Sequence, residues 1–480
     1  MTGVWPVEQV RAAEDALMAT LPAGALMQRA AYGLAVHCGR LLPRRYGARV
    51  ALLVGAGNNG GDALYAGATL ARRGAQVTAV LLSPDRAHPG GLAALRAARG
   101  RAVGADQGGG AVRGADAVLD GMVGIGGRGG LRPAAAALAG VARESGAVRV
   151  AVDVPSGVDS DTGDVPGAVF DADVTVTFGC LKPGLLVGAG AVAAGRVEQV
   201  DIGLLPYLPP PRLQVLEAAD VARTVPQPGP EDDKYTRGVV GVAAGSKQYT
   251  GAAVLATAAA AHGPAGMVRY AGGAADLIRA RLPEVIASDG PPSQAGRVQA
   301  WVVGPGIGTD DAGEAMLADV LGTGVPVLVD ADGITVLARR PDLLRRRTAA
   351  TVVTPHDREF ARLAGAEPGA DRLGAARRAA AELGAVVLLK GDATIVARPD
   401  ATAYVDRAGT PWLATAGSGD VLSGMIGGLL AAGVEPGLAA AAGTYLHGIA
   451  GTLAAASGMP TAADVLAAVP RAFATTLTQS

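Results

Sequence analysis

The sequence is poor in the features that mark exported, membrane-bound or nucleic-acid-bound chains. It has two cysteines in 480 residues, Cys38 and Cys180, too few and too far apart for a disulfide framework or a thiolate metal site, which fits a reducing cytoplasm. Neither charge is in excess: 42 Lys and Arg face 43 Asp and Glu. With no block of like charge either, neither a nucleic-acid backbone nor a membrane surface is expected as a partner, and small molecules remain. No export signal is expected, because the start "MTGVWPVEQVRAAEDAL" has no basic segment and carries Glu8, Glu14 and Asp15 where a signal would be apolar. A long apolar run is missing too. The longest low-charge stretch, 421–457, is broken by Glu435, Pro436 and several glycines, so it reads as packed core helices.

What is present is an apolar, globular chain. Half of its residues are hydrophobic, and its length suffices for two or three domains, each with its own core. Runs of β character at 49–54, 76–82, 116–120, 148–153 and 172–178 alternate with segments of helical period, the pattern of a parallel sheet covered on both faces. Proline becomes dense across 206–230, which predicts a stiff, extended connection. A cut near 212 gives domains 1–212 and 213–480. A second α/β series follows, with strands at 238–244, 300–303, 326–330, 350–353 and 385–389, helices near 250–262, 312–321, 357–364 and 371–383, and a helical end from 418.

The stretch "VALLVGAGNNGGDALYAGATLARRGAQVTAVLL" (50–82) places Gly55, Gly57 and Gly60 at G-x-G-x-x-G spacing between a strand and a helix. An NAD-dependent dehydrogenase would leave bare N–H groups there for a pyrophosphate. Here Asn58-Asn59-Gly60-Gly61-Asp62 puts two amides and a carboxylate in that place. The loop therefore reads as a polar cradle, with Asp62 as a helix-terminal charge the alternative. Two further strands end in Asp120 and in Asp153, the latter followed by Pro155 and Ser156. Asn59, Asp120 and Ser156, brought together at strand ends, would offer amide, carboxylate and hydroxyl oxygens suited to a hard cation.

These segments, with "LMQRAAYGLAV" (26–36), "DGMVGIGGRG" (120–129), "VDVPSGVDSDTG" (152–163) and "TVTFGCLKPGLL" (175–186), resemble the NAD(P)H-hydrate epimerase domain over nearly all of 1–205. The resemblance implies a Rossmann-like three-layer αβα domain. It implies that Asn58, Asn59, Gly60, Gly61 and Asp62, the loop Gly124, Ile125, Gly126, Gly127, Arg128, Gly129 and Gly130, and Asp153 contact the hydrated dinucleotide, and that Asn59, Asp120 and Ser156 hold K⁺. Asp153 is also the catalytic candidate, with Lys182 a proton-transfer partner or a structural residue. The chain has Ala63 where the family usually has Gly and Ile125 where it usually has Thr, a change that removes a hydroxyl donor to phosphate.

In the second half, "TAGSGDVLSGMIGGLL" (415–430) sets Gly417, Ser418 and Gly419 before a helix with Asp420 in its first turn. Such N–H groups form an anion hole, and the carboxylate can take a proton from a hydroxyl attacking a phosphoryl group. A strand ends in Lys390-Gly391-Asp392-Ala393-Thr394, where the lysine and turn amides can neutralise nucleotide phosphates. Of five histidines, His356 in "VTPHDREF" has a motif around it, whereas His447 in "YLHG" reads as a core residue.

With "DKYTRGVVGVAAGSKQYTGAAVLA" (233–256), "LPEV" (282–285), "VVGPGIG" (302–308) and "VLVDADGITVL" (327–337), this half resembles the NAD(P)H-hydrate dehydratase domain of the ribokinase-like superfamily over about 214–480. The resemblance implies that Ala252, Gly306, His356 and the catalytic Asp420 face the hydrate, and that Lys390 to Thr394 and Gly419 face an adenine nucleotide. It differs at Gly333, usually Ala, and Asp357, often Pro. The expected chemistry is repair of damaged NAD(P)HX with ADP or ATP as co-substrate and Mg²⁺ on the phosphates, in a cytoplasmic homo-oligomer. The alternative is a vitamin-precursor or sugar kinase fused to a nucleotide-binding module.

Overall fold

The computed structural model describes residues 1–44, 46–345 and 347–478. The chain forms two compact units, Gly3–Arg212 and, from Leu213 onward, a second that also takes in Met1–Thr2.

The first unit holds seven parallel strands, β1 Arg49–Val54, β2 Gln76–Leu81, β3 Arg101–Gly104, β4 Ala117–Gly121, β5 Val148–Val152, β6 Val174–Phe178 and β7 Arg196–Val200, in the order β3-β2-β1-β4-β5-β6-β7. β4 and β6 are buried along their whole length, as continuous apolar runs in a doubly covered sheet should be. The order reverses between β1 and β4, which makes the crevice beyond their carboxyl ends the place for a ligand. Helices α1 Val7–Met18, α2 Ala25–Leu41 and α3 Asn58–Arg72 belong to this unit. The glycine loop leads from β1 into α3. Gly55 is required there by close approach, because a Cβ on it would stand 1.8 Å from the Met122 carbonyl oxygen.

The second unit's sheet runs β8-β17-β16-β15-β14-β13-β12-β9-β10-β11, with β8 Leu213–Val215, β9 Val239–Ala243, β10 Met267–Ala271, β11 Ile286–Ser288, β12 Ala300–Val303, β13 Val327–Val329, β14 Thr351–Val353, β15 Val386–Leu389, β16 Thr394–Ala397 and β17 Ala403–Asp406. β9 to β15 are parallel, and β16 turns back antiparallel to β15 and β17. Among its helices are α4 Thr250–Ala261, α5 Asp357–Ala364, α6 Ser418–Ala431 and α7 Pro436–Ala455. α6 is buried almost end to end and packs on α4 through small residues; a Cβ at Gly424 would lie 2.2 Å from the Ala256 carbonyl oxygen.

The proline-rich segment is not extended throughout. Leu213–Val215 joins the sheet beside β17, and Ala218–Thr224 is a helix whose start is closed by reciprocal bonds between Glu217 and Asp220. Buried Val221 and Val225 anchor it in the core, so packing and capping override the local proline signal.

Candidate functional site

The first crevice collects residues from the ends of β1, β4, β5 and β6. Asp120, fully buried, accepts the Ser156 hydroxyl at 2.7 Å and backbone N–H groups from Ser156 at 2.8 Å and Met122 at 3.1 Å. The Ser156 hydroxyl in turn accepts the N–H of Val123 at 2.9 Å. Asn59 packs on the same segment: a Cβ on Gly124 would touch its Cγ at 3.1 Å, and its buried Nδ2 has no hydrogen-bond partner. All three candidate cation ligands therefore meet around 122–124. Burial raises the Asp120 carboxyl to about 6, against the lowering effect of its bonds to Ser156 and Met122.

Asp153 stands in the left-handed region, φ +66°, a strain found at functional sites. Its Oδ1 accepts Lys182 Nζ at 2.6 Å, the Thr177 hydroxyl at 3.0 Å and the Phe178 N–H at 3.1 Å. The Lys182 ammonium also donates to Thr177 Oγ1 and to the Phe178 carbonyl, both at 2.9 Å. Asp62 is not a helix-terminal charge. It sits one turn into α3, buried, with Oδ1 lacking a partner, and burial followed by the charges of Asp153 and Glu14 holds its carboxyl well above the usual range. Glu14 completes a carboxyl cluster that sequence reasoning passed over; burial and then Asp153 push it up to about 7.

The loop 124–130 follows the segment that carries Asp120. The Gly127 N–H bonds the Gly124 carbonyl, and the Leu131 N–H bonds Ala168, while Gly130 lies against Gly167. Ile125, Arg128 and Gly129 lie along it.

In the second unit the site gathers at the carboxyl ends of β12 to β15 and the start of α6. Gly306, φ +65°, has no room for a side chain, since a Cβ would come within 3.0 Å of the Ala252 Cβ and 2.8 Å of the Tyr249 Cβ. Asp330, at the end of β13, is buried and binds Lys390 Nζ at 2.9 Å through Oδ1 and the Ser423 hydroxyl at 2.7 Å through Oδ2. Burial opposes its ionisation, but Lys390, Ser423 and Thr354 hold its carboxyl below the usual range. Glu359 lies 3.7 Å from the same ammonium. Burial works against the Lys390 charge too, yet Asp330 and Glu359 keep its pKa raised. Gly419 adjoins both: a Cβ there would be 3.6 Å from Lys390 Nζ and 3.7 Å from Asp330 Oδ2.

Asp420 is half-buried beside this pair. Burial and then Asp330 lift its carboxyl to about 7, Lys390 opposing and Asp332 adding. Within the glycine turn the Ser418 N–H goes to the Thr415 carbonyl, so the anion hole is narrower than the motif suggests and centres on Gly419. His356 caps α5: its Nδ1 accepts the N–H groups of Arg358 at 3.1 Å and Glu359 at 3.3 Å, and Glu359 returns a bond to its N–H. Its Nε2 lies 3.5 Å from Glu359 Oε1, so Glu359 meets the imidazole at both ring nitrogens. Lys390 to Thr394 form the tight turn between β15 and β16, where Arg372 binds the Lys390 carbonyl at 2.9 Å. His447 is a core residue, as read, but its Nε2 lies 3.2 Å from the Ser418 hydroxyl.

Glu359 belongs to the "VTPHDREF" motif, whereas Asp330 and Ser423 had a signal in sequence only as polar residues at a strand end and along an apolar helix. Tertiary pairing with Lys390 is what gives them a role.

The comparisons with known proteins follow this geometry. Residues 23–184 match the family YjeF-related protein N-terminus, and residues 240–471 match the NAD(P)H-hydrate dehydratase family. The bifunctional NAD(P)H-hydrate repair enzyme of Mycobacterium tuberculosis is 54% identical over 446 residues, 92% of either chain. That of Mycobacterium leprae is 52% identical over 465 residues, 96% of either chain. A ribokinase-like superfamily protein of Enterococcus faecalis, 24% identical, superposes with a TM-score of 0.50 over 55% of this chain and 96% of its own, which supports the ribokinase-like fold. The relatives favour repair over the alternative of a vitamin or sugar kinase joined to a binding module. The chain belongs to the bifunctional NAD(P)H-hydrate repair enzyme family.

Proposed function

We propose that residues 1–212 interconvert the R and S forms of NAD(P)HX and that residues 213–480 dehydrate the S form to NAD(P)H, converting ADP to AMP and phosphate. The observation that carries the second half is the grouping of Lys390, Asp330, Gly419 and Asp420 at the start of a buried helix. Hydroxide is a poor leaving group, and phosphate a good one. Asp420 takes the proton of the C6 hydroxyl as that oxygen attacks the terminal phosphoryl group, while Lys390 and the Gly419 N–H stabilise the charge in transfer. Breaking C6–O then releases phosphate, loss of a C5 proton forms the ring double bond, and NAD(P)H results. Ala252, Gly306 and His356 face the hydrate, and the 390–394 turn takes the nucleotide.

Mg²⁺ fits this site as an ion held mainly by phosphate oxygens and water, because no three Asp, Glu, His or Cys side chains gather for a metal among the described residues. It would supply charge neutralisation on the phosphates, with Glu359, 3.7 Å from Lys390 Nζ, a carboxylate for its waters. K⁺ fits the first crevice, where the fully buried Asp120 carboxylate and the Ser156 hydroxyl adjoin the Asn59 side chain, whose amide oxygen would be the third ligand. Asn59, Asp120 and Ser156 would hold it and so fix the 121–124 segment. Asp153, whose Oδ2 accepts no bond among the described residues, handles the proton at C6, and Lys182 fixes its orientation. The buried free thiols of Cys38 and Cys180 suit the cytoplasm, and no described helix is long and apolar enough to cross a membrane.

The test supplies mixed NADHX epimers and ADP to the full chain and follows epimers, NADH, AMP and phosphate by chromatography. Wild type should consume both epimers with equal NADH and AMP, whereas Asp153→Asn should stall after the S form, apart from spontaneous exchange. A stable phosphorylated product would overturn the dehydratase reading, and unchanged consumption of the R form by Asp153→Asn would remove Asp153 from catalysis. Replacing K⁺ with Na⁺ should slow epimerisation alone.

A further inference from the structure

Helix α1, Val7–Met18, lies before the matched segment 23–184, yet it lines the first crevice. Arg11 Nη2 lies 2.8 Å from the position that a Cβ on Gly126 would take, so its guanidinium rests over the backbone of the 124–130 loop. No ion pair or hydrogen bond engages it among the described residues. Glu14, three positions on and therefore on the same helix face, is half-buried and faces Asp153, Lys182 and Asp62. One face of α1 thus reaches from the loop to the Asp153–Lys182 pair.

We infer that Arg11 is a substrate-binding residue of the epimerase site and that it takes an oxygen of the dinucleotide pyrophosphate. The inference rests on the epimerase reading above. Three considerations carry it. The guanidinium has no hydrogen bond or ion pair among the described residues, though its charge acts on Glu14, and it stands on the loop assigned to substrate. That loop has Ile125 in place of a hydroxyl donor, and a planar guanidinium supplies charge-assisted donors that suit phosphate. Position selects the phosphate: Arg11 and Glu14 are only about 4.5 Å apart along the helix axis, and Glu14 faces the residue that works on the nicotinamide ring. The pyrophosphate lies within reach of the ring, whereas an adenosine 2′-phosphate lies at the far end of the dinucleotide.

The experiment measures epimerisation of NADHX and NADPHX by the full chain as wild type, Arg11→Ala and Arg11→Lys. Loss of a charge-assisted bond should raise KM about tenfold or more for both substrates in Arg11→Ala, with kcat changing far less, and Arg11→Lys should recover part of the loss. The dehydration rate of the same preparations reports that the variants are folded. Equal KM values in wild type and Arg11→Ala would overturn the inference, and a rise confined to NADPHX would overturn it by moving Arg11 to the 2′-phosphate. A wild type without epimerase activity would instead overturn the underlying reading, and this inference with it.

Discussion

Each unit contains a lysine–aspartate pair at the carboxyl ends of its strands, and the two pairs divide their work in opposite ways. Lys182 is 1% exposed and has all three ammonium protons bonded within the protein, to Asp153, Thr177 and the Phe178 carbonyl. Lys390 is 23% exposed, with Asp330 at 2.9 Å and Glu359 at 3.7 Å. A lysine with no proton left over holds its carboxylate in place; a lysine with exposed surface can meet a phosphate. On the proposed function, the cation positions the reactive anion in the first unit, and the buried anion positions the reactive cation in the second. Backbone strain accompanies both, at Asp153 itself, φ +66°, and at Ala331 beside Asp330, φ +48°.

The largest expected effect tests the chemistry of the second pair. Asp420→Asn keeps size and removes the proton acceptor, so dehydration should fall by about 10²–10⁴ while epimer interconversion and nucleotide binding persist. Since Asp420 must be ionised to act and its carboxyl is lifted to about 7, wild-type kcat/KM for dehydration should climb with pH through that region. Dehydration at the wild-type rate, or a flat profile, would break the assignment.

The lysines should then part company. Lys390→Met should lower dehydration by about 10²–10³, the usual scale for losing a transition-state donor. Lys182→Met leaves Asp153 and its neighbours with an uncompensated charge, so its main effect should be on folding, about 3–5 kcal/mol, measured by urea denaturation. A Lys182→Met chain of wild-type stability with only its epimerase lost would reverse the contrast and make Lys182 a proton carrier.

What could be read in the sequence followed burial. Fully covered strands such as β1, β4 and β9 are continuous apolar runs, and their boundaries agree with the sequence reading to within about a residue or two. The edge strand β7, "RVEQV", and β11, "IAS", carry polar or small residues and too little pattern to stand out. The same holds for the sites. Glycine loops and strand-end carboxylates have local signatures, so Asn59, Asp120 and Ser156 could be named together and do meet. Arg11 and Glu14 had none. An Arg and a Glu on an amphipathic helix look like solvent-facing charges, and only the packing of α1 against the crevice separates them from such charges. The alternative of Asp62 as a dipole charge fails for a related reason: α3 begins at Asn58, which carries position 62 past the first turn and into the buried face.

The smallest effect concerns how the second site is braced from behind. His447 is buried in α7 and reaches the Ser418 hydroxyl at the start of α6. Burial pushes its imidazole from 6.5 down to about 4, a backbone bond to Ser418 opposing and the Lys390 charge adding. A neutral imidazole can brace the anion hole without adding to its charge. His447→Leu should therefore remove one buried hydrogen bond, about 1 kcal/mol at pH 7, and raise the nucleotide KM a few-fold, leaving the pH limb assigned to Asp420 in place. The sign of the pH effect on stability is opposite. Between pH 6.5 and about 4 the unfolded chain binds a proton at residue 447 that the folded chain refuses, so acid lowers wild-type stability through this residue, and His447→Leu is spared that loss. The gap in urea midpoint between wild type and His447→Leu should thus narrow as pH falls from 7 to 5. A gap that stays constant would mean that the imidazole titrates alike in the folded and unfolded chains, and that Ser418 is not held by a neutral histidine.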